Sequence, residues 1–215
     1  MLRQQWPEEI LENEVMTLVF AGHDTTAHAT TIAIDNCVRH PHVIQEIRNE
    51  YLSLQKNAGN NDADLFVYSK MKWPTAAFKE SLRLNPETPG GTVRQAPHDT
   101  QLGDSTIPKG CAVLSPFLTY SRSVGNWGPD AVEFKPERFL ERQHKPSNYP
   151  RNSIPFSQGK RNCVGMPLAY LEASLLLGYI VCHVDMDIES PPTKVFKVTL
   201  RPEGFRIAAK RVENK

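Results

Sequence analysis

Phe156-Ser157-Gln158-Gly159-Lys160-Arg161-Asn162-Cys163-Val164-Gly165, followed at once by Met166-Pro167 and an apolar helical run, is the most informative stretch of this chain. A cysteine just upstream of a helix start faces the positive end of the helix dipole and unpaired backbone N–H groups, which favour thiolate over thiol. Gly159 and Gly165 permit the positive φ or close backbone approach that a flat, bulky ligand requires of the loop holding its metal ligand. Arg161 adds a fixed positive charge two residues from the sulfur, suited to a carboxylate on such a ligand. An isolated cysteine is more often a buried small hydrophobe. Here the alternative competes with five fixed positions, F-x-x-G-x-R-x-C-x-G, which together make a strong signal.

Outward from this loop, the residues after Cys163 predict a final helix from about Pro167 to Val181, and the tail from Lys194 to Val212 alternates like a hairpin turning at Glu203-Gly204. Upstream, Pro86 to Pro155 breaks into short strand-like pieces (Thr92-Val93, Thr106-Ile107, Ala112-Val113-Leu114) and a proline-rich irregular stretch, read as a small sheet plus a long meander. Before that come a helix from about Pro74 to Leu84, a loop over Asn57 to Asp62, and a helix from Pro41 to Lys56 with proline in its first turn. Glu8 to Arg39 reads as one long helix. Its middle, Ala21-Gly22-His23-Asp24-Thr25-Thr26, has poor helix propensity, so something other than helix stability explains that hexapeptide.

Within Lys79-Glu80-Ser81-Leu82-Arg83-Leu84, Glu80 and Arg83 are three apart on one helical face. Alone this is a routine surface pair. The apolar neighbours Ala76, Ala77, Phe78, Leu82 and Leu84 point instead to a buried pair that needs further hydrogen bonds.

The segment around Cys163 resembles the haem-binding loop of the cytochrome P-450 superfamily. That resemblance implies a mainly α fold with a small β portion, of the kind found in the C-terminal half of the family: long distal helix, E-x-x-R helix, small sheet, meander, cysteine loop, final helix and C-terminal hairpin. It implies haem b as cofactor, Cys163 as the thiolate ligand of its iron, and Phe156, Gly159, Arg161 and Gly165 as the loop around it. It also implies a distal helix carrying [AG]-G-x-[DE]-T-[TS], which residues 21–26 match. There a threonine hydroxyl bonds its own helix's carbonyls and opens a groove over Ala21 and Gly22, while Asp24 and Thr25 handle protons. The plainer alternative makes Asp24 a surface carboxylate and Thr25 a packing residue. His23 falls at a position the family leaves variable. Arg94 stands where the family's first sheet sends an arginine to a haem propionate, and the residues from Thr88 to Val93 would border the substrate pocket. Arg138 in Phe134-Lys135-Pro136-Glu137-Arg138-Phe139 would join Glu80 and Arg83 in a structural triad. Trp127-Gly128-Pro129-Asp130-Ala131 matches the run ahead of the meander. Ser121 departs from the histidine that often precedes Arg122.

Because complete members are about twice this length, the chain is expected to be a single partial domain, residues 1–215, lacking an N-terminal half. Any membrane attachment would lie in that missing part. A eukaryotic parent would sit on the cytoplasmic face of the endoplasmic-reticulum membrane. The implied activity is monooxygenation of an apolar small molecule with O₂. Electrons would come from a separate reductase or ferredoxin, since no flavin or NAD(P) glycine pattern is present.

The 215 residues balance 25 Lys and Arg against 24 Asp and Glu. That excludes a nucleic-acid-coating or disordered composition and names no charged partner. The apolar run from Ala173 to Cys182 falls short of the roughly 20 residues that cross a bilayer. The N-terminus lacks a secretion signal, so the chain as given reads as intracellular. Four scattered cysteines form no disulfide framework. Other classes remain: a non-catalytic haem-binding remnant, a cysteine hydrolase pairing Cys163 with His183, or a zinc site using Cys182, though the last lacks ligand spacing.

Overall fold

The computed structural model describes residues 6–58, 66–140 and 154–212. The architecture is mainly helical with small antiparallel sheets. The first helix, α1 (Glu8–Val38), runs unbroken for 31 residues behind Pro7, with Glu8 and Glu9 complementing its dipole. Only its second half is buried: Ile32, Ala33 and Cys37 are wholly enclosed, whereas Leu11, Val15, Met16, Val19 and Phe20 are exposed. α2 (Pro41–Ala58) follows after a two-residue connection, Arg39-His40, and α3 (Phe66–Ser69) is a single turn.

α4 (Lys72–Leu84) has no capping side chain of its own at Met71. Glu50 of α2 substitutes, its two carboxylate oxygens accepting from the Lys72 and Trp73 N–H groups at 2.8 and 2.9 Å. A carboxylate there satisfies two of the orphan donors and opposes the helix dipole. The far end of α4 is closed by Arg122, whose Nε and Nη2 donate to the Leu84 carbonyl. That capping bond gives Arg122 a structural task with serine in place of histidine before it.

β1 (Thr92–Gln95) pairs with β4 (Ala112–Ser115), and β2 (Thr100–Leu102) with β3 (Ser105–Ile107), all antiparallel. The stretch expected to be irregular holds three short helices, α5 (Phe117–Arg122), α6 (Val124–Trp127) and α7 (Glu137–Leu140). The rest of the expected meander, 141–153, lies outside the described residues, as does most of the loop 57–62.

The last helix, α8 (Met166–His183), carries Pro167 in its first turn, and Arg48 of α2 caps its end by donating to the carbonyls of Val181 and Val184. By length and composition α8 is apolar enough to cross a membrane, which the run Ala173–Cys182 alone did not indicate. It packs against α1, α2 and α4, with Ala173, Leu177 and Val181 fully buried. Burial accounts for this face only, since Leu168, Leu171, Leu176 and Tyr179 of the same helix are exposed.

The C-terminal pairing differs from the single hairpin expected. β6 (Thr193–Phe196) and β7 (Leu200–Glu203) form a hairpin turning over Lys197–Thr199, while β8 (Arg206–Arg211) pairs with β5 (Val184–Ser190). Gly204, at φ +73°, therefore carries the chain between two sheets and not around one hairpin. Pro191-Pro192 ends β5, since proline cannot continue a ladder, and the chain folds back sooner than the alternation suggested.

Candidate functional site

Glu80 and Arg83 are fully buried and form a two-pronged ion pair, with both Nε···Oε2 and Nη2···Oε1 at 2.7 Å. The remaining Arg83 donors go to the carbonyls of Ser121, Ala131 and Glu133, and its guanidinium lies over the Trp127 ring at 4.6 Å. Arg138 approaches Glu80 at 3.3 Å and donates to the carbonyls of Trp127 and Asp130. The Lys135 N–H adds a bond to Glu80 at 3.0 Å. This network fastens the segment from Ser121 to Arg138 onto α4; the Arg83 donors and both Glu80 oxygens are paired, while Arg138 Nε is buried without a hydrogen bond.

On the other side of α4 lies a cavity of about 550 Å³. That volume falls within the roughly 300–1,000 Å³ usual for small-molecule sites. Its walls come from α1 (Ala21, Asp24, Thr25), from α4 (Phe78, Leu82) and from the cysteine loop (Phe156, Cys163). The loop is held by the Cys163 N–H donating to the Phe156 carbonyl at 2.9 Å, and a 3-10 turn over Gly159–Arg161 lifts the chain away before α8 begins. Gly159 sits at φ +81°, where a side chain would be strained, and the Cβ of a residue replacing Gly165 would stand 3.8 Å from Sγ of Cys163. Cys163 is an exposed residue and lines the cavity.

Facing the loop, Thr25 donates to the Ala21 carbonyl at 2.8 Å. The helix nevertheless continues through this bond without a break. Asp24 is bonded by Arg201 of β7 at 2.9 Å and lies 3.2 Å from Nδ1 of exposed His23. Gly22, Gly159, Gly165, Arg161 and Arg94 lie outside the cavity's lining. Arg94 and Arg161 are exposed beside the loop, and Arg94 donates to Ser157 at 3.3 Å.

Sequence reasoning missed Glu87, which lines the cavity with both carboxylate oxygens buried and unpartnered among the described residues. Desolvation, helped by the negative charge of Asp24, pushes its carboxyl up to about 8. Its sequence neighbours Pro86 and Thr88 suggest only a turn, so no local pattern announces it.

His183 shares a 2.8 Å hydrogen bond with Tyr68 at the far end of α8, roughly 27 Å along the helix axis from its Cys163 end. That separation removes a Cys163–His183 hydrolase. Cys182 is buried, its thiol pushed up to about 12 by desolvation. Among the described residues no group of three His, Cys, Asp or Glu is arranged to hold a metal ion.

The cytochrome P450 family model matches residues 4–209. Similar proteins include the self-sufficient cytochrome P450 monooxygenase CYP505E3 of Aspergillus terreus, 33% identical over 94% of this chain and 19% of the relative. Cytochrome P450 714A2 of Arabidopsis thaliana is 38% identical over 77% of this chain and 31% of its own length. The bifunctional cytochrome P450/NADPH–P450 reductase 2 of Bacillus subtilis is 30% identical over 94% and 19%. This chain belongs to the cytochrome P450 family. It spans between about a fifth and a third of the length of these relatives.

The family implies a haem, and the cavity suits one. The exposed Cys163 lines a mostly apolar space, the opposing helix presents the small Ala21, and two arginines stand exposed, Arg161 within the loop and Arg94 beside it.

Proposed function

We propose that the chain contributes the haem-thiolate part of a monooxygenase, in which one atom of O₂ enters an apolar organic substrate and the other leaves as water, using two electrons and two protons. The observation that carries this reading is the shared cavity: Cys163 on one wall, Asp24 and Thr25 on the other. Haem b, when bound, would supply the oxidising chemistry, which belongs to the cofactor. Cys163 would hold the iron, with Phe156, Gly159 and Gly165 shaping the loop beneath it. Arg161 and Arg94 would take the carboxylates at its edge, and Ala21 would leave room above it, while Gly22, expected to share that task, lies outside the lining.

Asp24 would hold a proton and Thr25 would pass it toward the cavity, accepting from the carboxyl side and turning its own O–H from the Ala21 carbonyl to the cavity. Arg201 fixes the Asp24 carboxylate. The largely apolar lining favours an apolar substrate. A reductase or ferredoxin would supply electrons; the Bacillus subtilis relative, named bifunctional, carries its reductase in the same protein, so its name supports a reductase as donor and not its being separate. The exposed apolar side of α1 continues into the cavity at Phe20, so the pocket stays open there. The isolated chain is therefore expected to bind haem weakly and turn over little, and any membrane contact would come from protein beyond it.

The test is an absorption spectrum of the chain reconstituted with haem, reduced and bound to carbon monoxide. A thiolate-type Soret band in the native chain, lost in Cys163→Ser, supports the reading. A histidine-type band in the native chain contradicts it.

A further inference from the structure

The loop after α4 brings a carboxylic acid into the cavity wall. Glu87 is 8% exposed, and neither of its oxygens has a hydrogen-bond partner among the described residues. Its backbone carbonyl accepts from the Leu200 N–H at 2.9 Å, which sets the start of β7 directly against it. Thr199, the residue before, also lines the cavity with a buried and unpartnered hydroxyl. Two hydrogen-bonding side chains are thus left unsatisfied at one place in a mostly apolar space. Leaving such groups buried and unpaired is costly unless something that enters the cavity pairs them.

The charges nearby decide what that something is. Asp24 on α1 and Arg201 on β7 are already paired with each other. With Glu87 ionised, these three groups carry two negative charges and one positive, so a single cation neutralises the set. An anionic ligand would meet two carboxylates and find only the unpartnered Nε of Arg201. We infer that Glu87, with the Thr199 hydroxyl beside it, anchors the protonated nitrogen of an otherwise apolar amine. The inference rests on the monooxygenase reading and narrows its substrate class from apolar molecules to cationic amphiphiles. Without a ligand, burial and Asp24 keep the Glu87 proton in place near neutral pH. An ammonium entering beside it supplies the countercharge, so binding releases that proton.

The test is calorimetric titration of N,N-dimethyldecylamine, 1-decanol and decanoic acid into the haem-free chain. The same titrations are made into the reconstituted chain with its ferrous iron held by carbon monoxide, so that nitrogen cannot ligate the metal. The amine is expected to bind tightest of the three. Glu87→Gln should weaken the amine by about tenfold or more while changing decanol by less than about threefold, as charge-assisted bonds outweigh neutral ones. Measured in two buffers of different ionisation enthalpy below about pH 8, the amine should release close to one proton in the native chain and none in the variant. Thr199→Val, which removes only a hydroxyl, should weaken the amine by roughly threefold and stands in if circular dichroism shows Glu87→Gln unfolded.

Amine affinity or proton release unchanged by Glu87→Gln would overturn the inference, as would amine affinity unchanged by Thr199→Val where it stands in. So would tighter binding of decanoic acid, or no saturable amine binding. A histidine-type carbon-monoxide spectrum with Glu87-dependent amine binding removes the haem-thiolate reading alone. A thiolate-type spectrum with Glu87-independent binding removes the anchor alone.

Discussion

Arg201 bonds Asp24 at 2.9 Å across 177 residues of chain, so the β6–β7 hairpin and the middle of α1 are tied at one edge of the cavity. Both side chains remain partly exposed, 39% and 31%. A pair so placed orients its partners more than it stabilises the fold. Arg201→Gln is therefore expected to change unfolding free energy by less than about 1 kcal/mol. It should also raise the hydrogen-exchange rate of amides in β7, read by mass spectrometry. A loss of several kcal/mol would show that the tie is structural.

The buried pair under α4 is the opposite case. Arg83→Ala leaves the Glu80 carboxylate enclosed with only Lys135 N–H and Arg138 nearby, and should cost about 3–5 kcal/mol in urea unfolding. Arg83→Lys should recover little, because an ammonium cannot reproduce the two-pronged contact or reach three carbonyls. The double variant Glu80→Leu/Arg83→Met should be less harmful than Arg83→Ala.

Gly91 sits at φ +77°, where an added Cβ would lie 1.7 Å from the Ser115 carbonyl oxygen. The strand pair β1–β4 begins at this point, with Thr92 opposite Ser115. Gly91→Ala should destabilise the chain by more than about 2 kcal/mol, combining the wrong backbone region with a clash that only moving β4 relieves. Thermal unfolding of the variant checks this.

Glu87 makes stability depend on pH. Its folded carboxyl, pushed up to about 8, holds a proton that the unfolded chain gives up near the ordinary value of 4.5. Between those two values the folded state binds more protons, so stability falls as pH rises through that window and levels off above it. The midpoint of thermal unfolding should drop from about pH 5 to about pH 8.5, and Glu87→Gln should remove part of that drop. An equal slope in both proteins would mean that Glu87 is solvated.

Much of the fold was readable because its fixed points are local. Pro41 and Pro167 mark helix starts, and the alternation of Glu80 and Arg83 with apolar neighbours marks a buried face. The pairings in the C-terminal sheets were not readable, since β5–β8 and β6–β7 depend on which edges meet in space while the sequence shows only alternation. The three short helices between Phe117 and Leu140 are held by contacts such as Arg83 to the Ser121 and Ala131 carbonyls, which no local propensity reveals. At the cavity, the residues of the cysteine loop and of α1 stood out through motif spacing. Glu87 carries no motif, and its chemistry comes entirely from the burial that α1 and β7 impose on it.

The most direct measurement is iron X-ray absorption on the haem-reconstituted chain and on Cys163→Ser. A sulfur scatterer bonded to iron in the native chain and missing from the variant is the predicted result. Light-atom ligands alone in the native chain, or a sulfur scatterer that survives the substitution, would contradict the assignment of Cys163 and with it the role given to the cavity.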